Sequence, residues 1–292
     1  MGHGEFQVGD LTVVVGDNAP HDNQRAGYNG LWSLRHRTGS RSIFVPGIAG
    51  LNFEHIVSGE GEEDRKVFFE PRTSEMTYRK VSDSEAELHQ PPTHTHFLES
   101  WTNFKFEAPH YIDMTFRCRP TQHAFPHGYI ALFWASYISG PNDKSMYFKG
   151  GTKGQNNAWS QLCTPSHNTN STVRHREDDF QMKFADGAPN ALYKNFSPLV
   201  FDEPFFYGNF ENHIFLVMFD RSDGIRLTHS PSGGGFTKEQ NTSNPAWDFQ
   251  FFVPNYDVTE EYGFKARAVF RETCSREVIE EEFSKWKSKT TE

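Results

Sequence analysis

THTHFLESWTNFKFEAPHYIDMTFRCRPTQHAFPHGYIALFWASYI, residues 93–138, is the stretch whose reading decides the fold. It holds three strand-like runs, His94–Phe106, His110–Arg119 and Gly128–Ile138. In the second, Ile112, Met114, Phe116 and Cys118 alternate with Tyr111, Asp113, Thr115 and Arg117, the period-two pattern of a strand with one buried face. The third carries no charge and is bulky on both faces. Such a strand needs cover on both sides, which predicts a central position in a packed sheet.

Working outward, 28 Phe, 10 Tyr and 6 Trp in 292 residues favour β structure, because aromatic rings pack well on pleated surfaces. Short strands are predicted at Leu11–Val15, Val67–Glu70, Met76–Val81 and Ala86–His89. They resume at Phe180–Phe184, Pro204–Phe210, His213–Asp220, Ile225–Ser230, Trp247–Val253 and Tyr262–Phe270. Glu60–Arg65 reads as a charged, solvated tip, and Gln161–Asp179 as the longest polar irregular segment. Ser275–Lys289 is the one helix, with Val278, Ile279, Phe283 and Trp286 as its apolar stripe and acids leading lysines. No repeat or linker interrupts residues 1–292. The expectation is one all-β domain, a large two-sheet antiparallel sandwich with a short C-terminal helix.

A formal charge of −9 argues against a nucleic-acid partner, which needs concentrated Lys and Arg. No run approaches the roughly 18 apolar residues of a membrane helix. Met1–Phe6 has no positive start or apolar core, so a cytoplasmic location is expected. Cys118, Cys163 and Cys274 form no close pair, so neither a disulfide framework nor a zinc knuckle is read.

Chemistry is expected where imidazoles and carboxylates gather. His94-x-His96-x-x-Glu99 places two histidines at i and i+2, which on a strand project from one face toward one metal or ligand. The loop around His167, Asn168, Arg174 and His175 offers imidazole, amide and guanidinium groups together, a mixture suited to a polyhydroxylated ligand. His229 ends a strand before the flexible run Pro231–Gly235, which leads on to Trp247-Asp248. Trp134, Tyr137 and Tyr207 offer rings for stacking on a sugar. An earlier set, Tyr28-Asn29, Asn52, Glu54-His55 and Phe69-Glu70, puts carboxylates beside aromatic surface, where burial raises a carboxyl's pKa.

Trp101–Phe104, Gly128–Tyr137 and the late Trp247-Asp-Phe-Gln250 run, set in short aromatic-rich strands over residues 10–270, resemble the galactose-mutarotase-like supersandwich proteins. The resemblance implies a concave sheet face that binds carbohydrate, and a His and carboxylate pair that opens and recloses a sugar ring. The family's Asn-His dipeptide is matched by Asn212-His213 alone, and its late acidic residue has Asp248 as nearest counterpart. The leading expectation is an isomerase, lyase or hydrolase acting on a sugar derivative without a cofactor. His94, His96, His167 and His229 are its acid, base or ligand candidates, with Asp248 and Glu99 as carboxylate partners. At least two of those four imidazoles are expected to line one pocket. The alternatives are a non-catalytic carbohydrate-binding protein and a cupin-like enzyme using a divalent metal.

Overall fold

The computed structural model describes residues 2–60, 64–188 and 191–291. The chain opens with a three-stranded antiparallel sheet of β1 (His3–Val8), β2 (Leu11–Gly16) and β3 (Gly30–His36). Next come β4 (Asn52–Val57), two single helical turns, α1 (Arg65–Phe68) and α2 (Glu70–Thr73), and the meander β5 (Thr77–Ser82), β6 (Glu85–Gln90), β7 (Leu98–Glu107) and β8 (Tyr111–Pro120). The middle of the chain supplies β9 (Ile130–Ala135), β10 (Met146–Gly151), β11 (Ala158–Leu162), β12 (Thr172–His175), β13 (Phe196–Phe201), β14 (Phe205–Phe210), β15 (His213–Phe219) and β16 (Ile225–Ser230). A two-residue hairpin of β17 (Phe236–Thr237) and β18 (Thr242–Ser243), then β19 (Ala246–Val253), β20 (Tyr262–Glu272) and α3 (Arg276–Thr291), complete it.

Fifteen of these strands form one sheet: fourteen follow the hydrogen-bonded path β4-β9-β19-β16-β12-β13-β10-β14-β15-β20-β8-β7-β6-β5, and β11 pairs with β10 off that path. The path folds over on itself, and its two halves stack face to face. Trp134 shows this directly. It lies against Phe53 and Phe249 of its own layer, at 5.0 and 5.1 Å between ring centroids. It also meets Phe116 and Phe264 of the facing layer, at 4.7 and 5.1 Å. The large β-sandwich with a C-terminal helix is therefore present, with one departure from an all-antiparallel scheme: β12 and β13 run parallel.

Gly128–Ile138 is central, as its apolar character demands, and every residue of β9 is buried. Its two faces serve different ends. Ile130, Leu132 and Trp134 enter the core between the layers, whereas Ala131, Phe133 and Ala135 join a second cluster on the outer face with Tyr129, Tyr137 and Tyr193. α3 covers the outer face of β14, β15 and β20 with Ile279, Phe283 and Trp286; Val278 is only half-buried.

Three local readings change. Val67–Glu70 is not extended: Val67 and Phe68 close α1 and Glu70 opens α2, where Pro71 is accommodated because its position in the first turn needs no N–H partner. The polar segment Gln161–Asp179 contains β12, whose Thr172 and Val173 are buried. Phe180–Phe184 packs on the outer cluster without forming a strand. The tip read at Glu60–Arg65 lies partly outside the described residues.

Candidate functional site

The site begins with a break in strand alternation. β4 pairs with β9 so that Phe53 opposes Trp134 and His55 opposes Phe133, which leaves Glu54 as the extra residue of a β-bulge. Phe53 and Ile56 enter the inter-layer core, while Glu54 and His55 both line a cavity on the outer face. A regular strand cannot put neighbours on one side. Asn29 braces the bulge like a substitute strand: its side-chain N–H donates to Phe53 C=O at 2.8 Å and its Oδ1 accepts Phe53 N–H at 3.0 Å. Asn52 Oδ1 in turn accepts Asn29 N–H at 3.0 Å.

The cavity above the bulge encloses about 320 Å3. Its floor is the outer face of the sheet, with Phe133, Tyr137, Ser230, Ala246 and Asp248. One wall is Tyr28, Phe68, Phe69 and Arg72; the other is His167, Asn168 and Ala191–Tyr193. Glu54 Oε1 accepts hydrogen bonds from Tyr137 Oη at 2.6 Å and Arg72 Nη1 at 3.0 Å. Arg72 rests over the Tyr28 ring, 4.1 Å from its centroid. His55 stacks on Phe133 at 4.6 Å, with Nδ1 3.0 Å from Tyr193 Oη and Nε2 3.5 Å from Glu54 Oε2. His167 Nδ1 is 2.8 Å from Ser230 Oγ.

The titration behaviour follows from these surroundings. Burial drives the Asp248 carboxyl well above the usual carboxylate range; the Glu54 charge adds to this, and the single N–H of Ser136, at 3.0 Å, does not offset it. Burial and the Glu54 charge push the Tyr137 hydroxyl up as well, so it stays a donor to Glu54. Burial lowers His167, which favours its neutral form. Burial opposes the charge on Arg72, but Glu54 and the neighbouring tyrosines outweigh it and hold the guanidinium protonated. The cavity thus brings together an ionic pair, a carboxyl pushed toward its protonated form and an imidazole pushed toward its neutral form.

Of the residues read from the sequence, Asp248, His167, Asn168 and Tyr137 line this cavity. The others lie elsewhere. His94 and His96 sit in a turn before β7, not on a strand, so the same-face argument fails: His94 is exposed and His96 is buried with its Nδ1 2.5 Å from Glu70 Oε2. Glu99 faces outward on β7, paired with His89 and Arg119. His229 points into the sheet, where Nδ1 is 2.8 Å from Thr164 Oγ1 and Nε2 2.8 Å from Lys144 C=O. Trp134 fills the inter-layer core, and Tyr207 packs with Tyr147 and Trp159 beneath α3. Arg174 stacks over Phe196, and His175 borders a separate acidic cleft with Glu177 and Asp178. Asn212-His213 is at the edge of the three-stranded sheet. Only His167 of the four expected imidazoles reaches the cavity; the second there is His55. Among the described residues no three His, Cys, Asp or Glu are grouped to hold a metal ion.

With this geometry in hand, two solved structures are similar over nearly their whole length. A candidate aldose 1-epimerase from Escherichia coli K12 aligns with a TM-score of 0.52 at 10% identity, covering 93% of this chain and 99% of that one. The Slr1438 protein of Synechocystis sp. PCC 6803 aligns with a TM-score of 0.50 at 9% identity, covering 93% and 96%. The fold is galactose-mutarotase-like. No protein-family model and no curated protein matches the sequence. In this galactose-mutarotase-like sandwich the cavity lies on the outer face of β4, β9, β19 and β16. Among the described residues no helix is long and apolar enough to cross a membrane.

Proposed function

We propose that the protein is a carbohydrate-active enzyme that binds a sugar derivative in the Glu54–Asp248 cavity and interconverts its forms by proton transfer. The observation carrying this reading is the separation of two carboxyls in one cavity. Glu54 is tied to a guanidinium, and Asp248 is driven toward its protonated form. Groups whose environments push their proton affinities apart are suited to opposite acid and base roles. The fold's likeness to a candidate aldose 1-epimerase favours ring opening and reclosure over lysis or hydrolysis.

In this reading Asp248 gives its proton to the ring oxygen as the bond from that oxygen to the anomeric carbon breaks. His167 Nε2 takes the proton of the anomeric hydroxyl, whose oxygen becomes the carbonyl. Rotation and the reverse transfers close the ring and restore both groups. Glu54 and Arg72 bind sugar hydroxyls, and Phe133 and Tyr28 give the ring apolar faces. The test is anomer exchange of fresh aldoses, followed by polarimetry and NMR. Asp248→Asn and His167→Gln are each expected to slow exchange about 10²- to 10⁴-fold. Sugars bound at the buffer rate of exchange would sink the enzyme and leave a binding protein.

A further inference from the structure

Antiparallel pairing of β12 with β16 sets Thr172 opposite Thr228, so the loop leading into β12 emerges where β16 ends. That loop carries His167 and the strand end carries Ser230. The two side chains meet, with His167 Nδ1 2.8 Å from Ser230 Oγ. The loop is ordered by its own turns. Asn168 and Asn170 hold φ of 58° and 50°, a left-handed geometry that asparagine tolerates, and the Ser166 and Thr169 hydroxyls lie 2.9 Å apart. Ser171 C=O accepts His229 N–H at 2.9 Å, which ties the loop to β16 one residue before Ser230.

Ser230, His167 and Gly233 all line the cavity of about 320 Å3. Ser230 is only 1% exposed, so a molecule meets its hydroxyl inside the cavity rather than at the surface. Past the strand end the chain turns back on this hydroxyl. Ser232 N–H lies 3.5 Å from Ser230 Oγ. A Cβ on Gly233 would stand 3.3 Å from that oxygen and 2.8 Å from Ala246 Cβ, so only glycine lets the backbone in this close. Gly233 N–H has no acceptor among the described residues. A serine hydroxyl bonded to an imidazole, beside backbone N–H groups, is the arrangement of an activated nucleophile with donors at hand for an oxyanion.

We infer that the cavity has a second activity beyond anomer exchange, the hydrolysis of small acyl esters with Ser230 as nucleophile and His167 as base. Ser230 Oγ attacks the ester carbonyl carbon as its proton passes to His167 Nδ1. The carbonyl oxygen takes the negative charge beside the Ser232 and Gly233 N–H groups. The bond from that carbon to the alcohol oxygen then breaks, and the alcohol leaves with the Nδ1 proton. Water attacks the acyl-serine and gives a proton to Nδ1; Ser230 Oγ takes that proton back as the acid departs. Anomer exchange draws on Nε2 of the same ring, so the two reactions use opposite tautomers, and the acyl transfer does not rest on the carbohydrate reading.

Diisopropyl fluorophosphate and p-nitrophenyl acetate test it. The first is expected to phosphorylate Ser230 with loss of fluoride, an adduct located by peptide mass spectrometry. His167→Gln should slow that labelling by about 10²-fold or more. Ser230→Ala should abolish it and bring hydrolysis of p-nitrophenyl acetate down to the buffer rate. Thermal melts report whether each variant folds, and labelling of Ser230 in the unsubstituted protein is read without either. Adducts on other residues only, labelling equally fast in folded His167→Gln, or labelling without ester turnover overturns the inference. So does ester turnover that survives Ser230→Ala. Absent anomer exchange with both acyl-transfer results in place removes the sugar reaction and leaves this one standing.

Discussion

Glu70 and Asp248 are both buried carboxyls, and their neighbours push them in opposite directions. Burial favours the neutral form of each. At Glu70 it is overcome by the His96 imidazole and the Thr95 and His96 N–H groups, which hold the carboxyl down to about 2. A carboxyl whose folded pKa is depressed contributes stability above its unfolded value, and that contribution is lost as pH falls through the folded one. Here the window runs from the ordinary 4.5 down to about 2. Glu70→Gln is expected to cost about 2–4 kcal/mol near neutral pH and to flatten the acid limb of a urea-stability profile; an unchanged acid limb would count against the clamp. At Asp248 a single N–H does not offset burial and the Glu54 charge. The proposed reaction needs His167 neutral and Asp248 protonated. Exchange should therefore fall on the acid side, as His167 gains a proton below the ordinary range near 6.5, and on the alkaline side, as Asp248 loses its own. His167→Gln should erase the acid limb of the rate profile and Asp248→Asn the alkaline limb. Asp248, His167, Asn168 and Tyr137 were legible because imidazole, amide, acid and phenol stand out in runs of strand and loop. The joint role of Glu54 and His55 was not, because strand parity sends neighbours to opposite faces and only the bulge overrides it.

At the scale of elements, the bulge and the terminal helix show what local pattern does and does not transmit. Periodicity in α3 announced its buried face, and Ile279, Phe283 and Trp286 are indeed under it. Glu282, on the same face, accepts Tyr111 Oη at 3.1 Å and Arg271 Nη1 at 3.0 Å, so the helix is fixed by polar as well as apolar contacts. Phe283→Ala should lower stability by about 3 kcal/mol, and Val278→Ala by well under half of that because Val278 is only half-buried. Equal thermal shifts for the two would contradict the docking seen here. Val67–Glu70 was misread because Val67, Phe68 and Phe69 are strand-forming residues; Pro71 favours a helical start just after them, and the contacts that hold the turn in place come from far along the chain, from Asn18, Gln90 and the 93–96 turn. The His94-x-His96 reading failed for the related reason that both lie in a turn, from which His96 serves that same clamp while His94 is exposed.

For the whole molecule, alternation and a charge-free central run made the sandwich legible, because burial on one or two faces is written directly in composition. The order of fifteen strands was not, since pairings such as β12 with β16 or β15 with β20 depend on residues far apart in the chain. The three-stranded sheet β1–β3 illustrates the point: its junction with the large sheet gathers histidines from three separate strands or turns. His36 and His213 lie 4.7 Å apart between ring centroids, joined through Thr38 Oγ1 at 2.8 and 3.0 Å. His36 and His110 each approach Asp10 at 3.7 Å, and Arg37 anchors that carboxylate at 2.6 Å. Burial lowers His110, with Arg271 adding to it against Glu282 and Asp10. Burial also lowers His213, with His36 adding to it against Glu211 and Glu272. Both imidazoles thus take up protons less readily in the fold than in the unfolded chain, so the junction gains stability as pH rises toward the ordinary 6.5 and loses it below. The Glu70 clamp weakens only at lower pH, which separates the two effects. Amide exchange, corrected for its intrinsic pH dependence, should show β1–β3 losing protection between about pH 7.5 and about pH 5 while β7, β8 and β20 hold theirs. His213→Gln should reduce that difference. Equal protection of β1–β3 at both pH values would show that the histidines at this junction do not govern how the first sheet is held.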